Sequence, residues 1–437
     1  MLYSVHELQR LHLGLVATAS GAVAGLLSDS DIFPFRVVRA NAALLHRITK
    51  RFDKQPFGIP AITAHGRDVV VTEDVIARHP FCDLVHFARH ADDASTRRAL
   101  GEDPRVLVCA PLSGHHATLV RDTIATLLQD HDVYVTDWVD ARQVPTVEGA
   151  FHLHDYVTLV ERFITELGAA DLHVVSVCQP TVPVLAAISR MAARGAATPA
   201  SATLMGGPID ARVSPTAVNR FATERSLAWF KANMIHRVPL THPGRGRDVY
   251  PGFLQLTSFV MMNPGRHADA YRNYWWDQIN GKDEATASHE TFYDEYNSVL
   301  DMDAAYYLET VRTVFQEFAL ARGTWDIHGE RVRPAAITRT AMLTIEGEND
   351  DISGLGQTAA AHALCTGIPS DHHTHVVAEG CGHYGLFSGS KWRTAIYPAL
   401  RAFIRAHHVA AARAAGKPPL LAAVPVTAPS TAPTSAD

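Results

Sequence analysis

The middle of the chain alternates between short apolar runs and stretches whose apolar residues recur every three or four positions. The first pattern is typical of buried strands and the second of one face of a helix. Their alternation predicts an α/β fold with right-handed crossovers and a mostly parallel sheet flanked by helices. The predicted strands are 68–72, 84–87, 105–110, 133–136, 172–177, 202–205, 340–345 and 375–378, and the predicted helices include 116–129 and 154–168.

The strand pattern stops between residues 215 and 335, where helical stretches dominate. Roughly half of the aromatic residues lie in this segment, which is about a quarter of the chain. Most of these rings are expected to form the core of a helical subdomain. A few could instead line an apolar substrate path beneath a cap. The segment therefore predicts a large, mainly helical cap insertion.

Two further segments lie outside the alternating pattern. The first 50 residues look helical and amphipathic, with a break at Pro34, and we expect them to rest on the protein's own core or on a hydrophobic particle. The last residues are rich in Ala, Pro, Ser and Thr and too poor in large apolar groups to pack. The predicted division is an N-terminal helical segment (1–50), a first part of the core (51–214), the cap (215–335), a second part of the core (336–409) and a disordered tail (410–437).

Composition and charge exclude several classes of protein. A formal net charge of -6 argues against general nucleic-acid binding. The five cysteines are odd in number and lack C-x-x-C spacing, which favours free thiols in a reducing cytoplasm. The apolar stretch 11–27 is too short and too interrupted for a spanning helix or a signal peptide. We therefore expect a cytoplasmic protein, and neither a metal nor an organic cofactor is indicated.

A cysteine stands where the central predicted strand meets the next helix. The strand 172–177 ends at Cys178, and the helix begins close to Pro180. This layout matches the nucleophile elbow of α/β-hydrolases, G-x-S-x-G, but with a thiol as nucleophile and with Ser176 and Pro180 in place of the glycines. A cysteine that ends a core strand also packs simply as a small hydrophobe. The elbow by itself leaves both interpretations open.

An acidic turn and a histidine follow later strands in an order that favours catalysis. Cys178, Asp350 and His383 occur in the α/β-hydrolase order of nucleophile, acid and histidine. Each follows a predicted strand, so all three are expected at the carboxyl edge of the sheet. The histidine would take the thiol proton, and the carboxylate would orient the imidazole. Asp351 is the alternative acid.

Backbone amides that stabilise a developing oxyanion are expected from two places. One is the N–H of Gln179, which follows the proposed nucleophile. The other is the loop after strand 105–110, where Ser113 and Gly114 precede a helix and the glycine lets a substrate approach closely. A plain turn with a helix cap explains this loop equally well.

Six motifs resemble the intracellular polyhydroxybutyrate (PHB) depolymerases, and the resemblance covers almost the whole chain except the tail. The motifs are APLSGHHATL (110–119), VTDW (135–138), VSVCQPT (175–181), FYDEYN (292–297), EGENDD (346–351) and CGHY (381–384). The resemblance implies an α/β-hydrolase fold and association with storage granules. It also implies cleavage of amorphous poly(3-hydroxybutyrate), with Cys178 as nucleophile, Asp350 as acid and His383 as base.

The expected reaction passes through a thioester on Cys178, with water as acceptor and coenzyme A as a plausible second acceptor. The nearest rival is a polyhydroxyalkanoate synthase-like acyltransferase, whose cysteine is usually flanked by the glycines that this chain lacks. A rival from another class is a non-catalytic protein that binds the granule surface. Release of soluble 3-hydroxybutyrate, polymer growth from 3-hydroxybutyryl-CoA, or neither would distinguish the three.

Overall fold

A nine-stranded sheet runs through the centre of the protein in the computed structural model, which describes residues 2–27 and 32–408. The predicted tail, 410–437, lies outside the described residues. Along the described chain the strands are β1 (Ala61–Ala64), β2 (Arg67–His79), β3 (Cys82–His90), β4 (Arg105–Cys109), β5 (Asp132–Trp138), β6 (Leu172–Val177), β7 (Ser201–Met205), β8 (His236–Arg237), β9 (Asp248–Tyr250), β10 (Met302–Asp303), β11 (Asp326–Ile327), β12 (Glu330–Arg331), β13 (Ala341–Gly347) and β14 (His373–Ala378).

The strand order of the large sheet is β1-β2-β3-β5-β4-β6-β7-β13-β14. Strands β1, β2, β3 and β5 pair antiparallel, and from β5 to β14 all neighbours are parallel. The chain order reverses at β4, which lies between β5 and β6, and open sheets place their sites at such a point. This architecture confirms the predicted α/β-hydrolase fold.

Helices cover both faces of the sheet, which explains the apolar runs of its central strands. In β6, Val174 belongs to the core cluster on one face and Val175 to the cluster on the other. Successive residues of a strand point to opposite faces, so such a strand must be apolar throughout. The helices are α1 (Leu2–Gly25), α2 (Phe33–Thr49), α3 (Ala94–Glu102), α4 (Arg121–Leu127), α5 (Leu153–Glu166), α6 (Thr181–Ala193), α7 (Ala217–Glu224), α8 (Leu227–Met234), α9 (Gly252–Met262), α10 (Pro264–Ile279), α11 (Asp283–Tyr296), α12 (Ala304–Thr310), α13 (Ala360–Leu364), α14 (Gly389–Lys391) and α15 (Tyr397–His407).

The segment 215–335 is mainly helical, as expected, but it also contains short strands that the sequence did not reveal. Strands β8, β9 and β10 form a three-stranded sheet, and β11 pairs with β12. Strands of two or three residues are too short to produce a periodic pattern. We call this segment the cap. The division of the chain into five regions remains a prediction.

The N-terminal helix α1 contacts the cap but leaves several of its leucines exposed to solvent. On α1, Tyr3 donates a hydrogen bond to Asp301 (2.7 Å), and Glu7 pairs with Arg51 of the segment after α2 (3.3 Å). The apolar residues of α1 face outward, and Leu11 and Leu15 are 62% and 64% exposed. Tyr3 belongs to the buried core cluster, whereas these leucines are left uncovered, and whether the segment rests on its own core or on a hydrophobic particle stays a prediction.

Within the described residues, none of the helices combines the length and the apolar character needed to cross a membrane.

Candidate active site

The junction between β6 and α6 has the sharp geometry of a nucleophile elbow. Cys178 adopts a positive φ of 68°, which a residue with a side chain rarely does outside a strained turn. Its N–H donates a hydrogen bond to the carbonyl of Met205 on the neighbouring strand (2.7 Å). The side chain is only partly buried, unlike those of the other four free cysteines. The thiol thus sits at an accessible, strained turn and is not sealed in the core.

The parallel pairing brings the other candidate residues to the same edge of the sheet. Strand β4 pairs in parallel with β6, and β13 pairs with both β7 and β14. The loop after β4, the elbow after β6, Asp350 after β13 and His383 after β14 therefore lie along one edge. Cys178 and His383 are 205 positions apart in sequence. The crossover connections of the parallel sheet bring both residues to the same edge.

Asp350 and His383 form a buried hydrogen-bonded pair. Nδ1 of His383 lies 2.7 Å from Oδ2 of Asp350, and both side chains are almost fully buried. The second carboxylate oxygen of Asp350 accepts hydrogen bonds from the N–H groups of Ile352 (2.9 Å) and Ser353 (2.8 Å). Asp351, the alternative acid, is exposed to solvent. The carboxylate of Asp350 is thus fixed on three sides and holds the imidazole in one orientation.

The environment of His383 favours its protonated form. Burial alone lowers the pKa of this imidazole. The charge of Cys178 and the hydrogen bonds with Asp350 and Cys178 outweigh burial and raise the pKa to about 10. Because Nδ1 faces Asp350, Nε2 is the nitrogen left for the thiol. The arrangement can therefore stabilise an imidazolium next to the elbow, as a histidine that accepts the proton of a nucleophile requires.

Two consecutive glycines at the end of β7 make room for these side chains, and sequence analysis assigned them no role. A Cβ on Gly206 would lie 3.3 Å from Oδ2 of Asp350 and 3.4 Å from Cε1 of His383. A Cβ on Gly207 would collide with Oγ1 of Thr181 and lie 2.6 Å from the carbonyl oxygen of Cys178. The sequence feature that could have revealed this role is the Gly-Gly pair directly after β7, the strand next to β6. Glycines at the end of a strand often mark a place where neighbouring backbones approach closely.

The predicted oxyanion loop lies beneath the cap. Gly114 has a φ of 120°, and a Cβ there would lie 2.7 Å from Oε1 of Gln255 on α9. Its carbonyl accepts a hydrogen bond from the N–H of Leu300 (2.7 Å), and the next residue, His115, stacks on Phe259 at 5.0 Å between ring centroids. Ser113 is half-buried in the same loop. The cap therefore covers this loop closely.

The backbone N–H of Gln179 is the other predicted oxyanion donor. It has no hydrogen-bond acceptor among residues 2–27 and 32–408. It lies just before α6, in the turn where the positive end of a helix dipole favours negative charge. The oxyanion assignments for Gln179, Ser113 and Gly114 remain predictions.

A small set of buried polar atoms next to the elbow was not found from the sequence. Burial is the main reason that the pKa of Tyr306 is raised, hydrogen bonds with the side chains of Thr310 and Gln179 lower it, and the charge of Cys178 raises it further. The hydroxyls of Tyr306 and Thr310 and the side-chain amide of Gln179 thus form a buried polar set beside the nucleophile elbow. In the sequence, Tyr306 is one of many aromatic residues of the cap. Only the folded structure shows that its hydroxyl lies beside the elbow.

Comparison with known proteins finds one family model that matches part of the second half of the chain. Residues 206–408, a little less than half of the protein, match the family model described as "PHB de-polymerase C-terminus". The matched segment contains Asp350 and His383 but ends before the tail and begins after Cys178. No curated protein matches the chain.

Several solved structures share part of the architecture at low sequence identity. One is the 2-hydroxy-6-oxo-6-phenylhexa-2,4-dienoate hydrolase of Rhodococcus sp. strain RHA1, with 15% identity, a TM-score of 0.42, and coverage of 77% of this chain and 99% of the hydrolase. A second is the thioesterase domain from the curacin biosynthetic pathway, with 12% identity, a TM-score of 0.41 and coverage of 77% and 99%. A third is a haloalkane dehalogenase from Bradyrhizobium elkani USDA94, with 12% identity, a TM-score of 0.40 and coverage of 78% and 99%.

Proposed function

We propose that this chain, whose residues 206–408 match the PHB de-polymerase C-terminus model, is a depolymerase that cleaves the ester bonds of amorphous poly(3-hydroxybutyrate). The family match and the α/β-hydrolase sheet together support the general activity of a carboxylic ester hydrolase. The observation that carries the finer proposal is the buried pair of His383 and Asp350 at the same sheet edge as the strained Cys178.

The first half of the reaction forms a thioester. The Cys178 thiol gives its proton to Nε2 of His383, and the thiolate attacks the carbonyl carbon of an ester in the polymer. The negative charge on the carbonyl oxygen is stabilised by the N–H of Gln179 and by an N–H from Ser113 or Gly114. When the tetrahedral intermediate collapses, the C–O bond breaks and the imidazolium returns its proton to the departing alcohol. Asp350 stabilises the imidazolium throughout.

The second half releases the acid. His383 takes a proton from water, and the hydroxide attacks the thioester carbonyl. The C–S bond breaks, the thiolate recovers a proton, and 3-hydroxybutyrate or an oligomer leaves as the free acid. If the thiol of coenzyme A replaces water, the product is the corresponding 3-hydroxyacyl thioester. Water is the acceptor in our proposal.

The outward-facing leucines of α1 support a cytoplasmic location on polyester granules. Apolar side chains such as Leu8, Leu11 and Leu15 gain free energy when a hydrophobic surface removes them from water. The two charged residues of this helix, Glu7 and Arg10, pair with each other (3.2 Å). This uncharged outer face is compatible with an apolar ester surface. The five free cysteines are compatible with a reducing compartment.

The proposal is tested by incubating the purified protein with native amorphous granules and measuring soluble 3-hydroxybutyrate. The wild-type protein and the matched control Cys365→Ala, which removes a buried cysteine away from the site, are expected to release product. Cys178→Ala is expected to lose activity by at least about 10⁴-fold. Full activity in Cys178→Ala would contradict the proposed nucleophile.

The same preparation separates the alternatives. Polymer growth with release of coenzyme A from 3-hydroxybutyryl-CoA would identify a synthase. Sedimentation with granules, but no product from the wild-type protein, would identify a binding protein. Appearance of 3-hydroxybutyryl-CoA after adding coenzyme A to granules would show that a thiol acts as the acceptor.

A further inference from the structure

We propose that His152, His154 and Glu309 form a zinc-binding site at the junction between the core helix α5 and the cap helix α12. One ligand atom from each of the three residues lies within 4.8 Å of the other two. Nδ1 of His152 is 2.8 Å from Oε1 of Glu309, and the two imidazole rings stack with centroids 4.8 Å apart. The sequence alone contains only an H-x-H pair here, and folding brings the carboxylate to it.

Hydrogen bonds at the site fix the backbone at the start of α5 and the carboxylate of Glu309. His152 directly precedes α5, and its N–H donates a hydrogen bond to Oδ2 of Asp155 (2.8 Å). The N–H of Leu153 donates to Oε2 of Glu309 (2.9 Å), which leaves Oε1 directed to the histidines. Hydrogen bonds of this kind orient a carboxylate before an ion binds and lower the cost of ordering it.

The donor set matches the preferences of zinc. Two imidazoles and one carboxylate form a known zinc set with nitrogen and oxygen ligands at about 2.0–2.2 Å. With such bond lengths, two donors about 3 Å apart subtend an angle of roughly 90° at the ion. The spacing between His152 and Glu309 is therefore close to that of two ligands on one ion. A nitrogen of His154 lies within 4.8 Å of a ligand atom of each of them.

A cavity gives the ion a path from solvent and a possible fourth ligand. Its volume is 370 Å³, and its walls include His154, Glu309, Asp326 and His328. The ring of His328 stands edge-on to that of His154 with centroids 4.5 Å apart. His328 occupies the turn between β11 and β12 with a φ of 54°. All three proposed ligands are partly exposed, so an ion can enter without unfolding the protein.

Zinc at this position would link the cap to the core. Glu309 belongs to α12, whereas His152 and His154 stand at the start of α5. Helix α12 also carries Tyr306, whose hydroxyl lies beside the elbow. The ion would thus stabilise the packing of the helix that covers the candidate active site. The site does not depend on the proposed ester hydrolysis and takes no part in its chemistry.

The test is a titration of the purified full chain with ZnCl2 in competition with a chromophoric chelator, combined with thermal unfolding. The wild-type protein is expected to bind one zinc ion per chain at this site and to show a higher Tm with zinc, because binding to the folded state stabilises it. His154→Ala and Glu309→Gln are each expected to weaken binding at least tenfold and to abolish the Tm shift. The matched control His90→Ala removes a histidine that bonds Thr72 far from the site and is expected to bind as wild type.

Absence of zinc binding by the wild-type protein at 100-fold molar excess would overturn the proposal. So would unchanged affinity and Tm shift in His154→Ala, because the ion would then be bound by other histidines. His328→Ala is a second variant, for use if Glu309→Gln does not fold. A severalfold loss of zinc affinity in His328→Ala would support the site. Retained affinity in both His154→Ala and His328→Ala would count against it.

Discussion

The Nδ1 atom of His383 lies 2.7 Å from Oδ2 of Asp350, although the two residues follow different strands and are 33 positions apart. The other oxygen of this carboxylate is held by two backbone N–H groups, those of Ile352 and Ser353. Asp350 therefore cannot rotate freely, and the orientation of the imidazole is fixed by backbone structure. This hydrogen bond identifies Asp350, and not its exposed neighbour Asp351, as the partner of His383. In the sequence alone, Asp351 had remained as the alternative acid.

Asp350→Asn is expected to lower kcat by about 10³–10⁴-fold. The asparagine oxygen can still accept from Ile352 and Ser353, which turns the amide nitrogen towards His383. An amide donor facing Nδ1 stabilises the wrong tautomer and cannot stabilise the imidazolium. Steady-state kinetics on granules measure the effect. Asp351→Asn is the matched control, and an equal loss in both variants would contradict the assignment.

The raised pKa of His383 makes the free energy of unfolding depend on pH. The folded-state pKa is about 10 and the ordinary value is 6.5, but the charge of Cys178 that raises it appears only after the thiol has given up its own proton. The folded pair therefore holds an extra proton over the unfolded chain only above about pH 8.5, where an unfolded thiol also ionises. The stabilising contribution is present up to about pH 8.5 and is lost as the pH rises towards 10, with a slope of at most about 1.4 kcal/mol per pH unit.

Urea unfolding at several values between about pH 8 and 10 measures this slope in the wild-type protein and in Cys178→Ala. The charge of Cys178 is the foremost of the interactions that raise the pKa of His383, so its removal lowers that pKa. The free energy of unfolding of Cys178→Ala is therefore expected to fall less steeply with pH. Identical slopes would show that the thiol does not interact with the imidazole.

Tyr306→Phe is expected to reduce kcat/KM by about tenfold and to lower the free energy of unfolding by only about 1 kcal/mol, the usual net contribution of a hydrogen bond. The buried hydroxyl interacts with Thr310 and Gln179 beside the elbow. A substrate oxygen bound beside Cys178 would lose a partner. Tyr156→Phe is the matched control, because its hydroxyl is also buried but belongs to α5. Equal activity in both variants would exclude a role for Tyr306.

The central sheet could be predicted from sequence because its strands are buried on both faces and are apolar throughout. The run 172–177 coincides with β6, and the run 105–110 ends one residue beyond β4. The antiparallel strands at one end of the sheet were predicted too short, since β2 extends over Arg67–His79 and is partly exposed. Polar residues on its outer face interrupt the apolar run, and the antiparallel pairing with β3 does not require an apolar sequence.

The candidate triad could be proposed from sequence because each of its residues follows a predicted strand. Residues whose importance depends on a distant partner leave no such local signal. Tyr306 is one of many cap aromatics, and Glu309 is an ordinary acidic residue on a helix until folding places it 2.8 Å from His152.

Gly207→Ala is expected to abolish activity and lower the Tm. The added Cβ would collide with Thr181 and approach the carbonyl oxygen of Cys178 to 2.6 Å, so the elbow or the adjacent strand must shift. Overpacking of this kind typically costs about 1–3 kcal/mol. Gly265→Ala, at a helical position with no atom within 4 Å of the new Cβ, is the control and should be neutral. Circular dichroism melting and granule hydrolysis report the two effects, and a fully active, equally stable Gly207→Ala would show that the elbow is less tightly packed.

The double substitution Leu11→Asp and Leu15→Asp is expected to weaken granule binding by at least about tenfold and to leave hydrolysis of a soluble short-chain ester unchanged. Each leucine is more than half exposed on α1, and burial of such a side chain is worth about 1.5–3 kcal/mol. Co-sedimentation with amorphous granules measures binding. Leu240→Asp is the matched control, because Leu240 is 83% exposed but lies outside the helix. Size-exclusion chromatography of the same proteins tests the competing possibility that α1 binds a second copy. Unchanged sedimentation, or a change of oligomeric state in the double variant alone, would contradict a granule-binding role for this face.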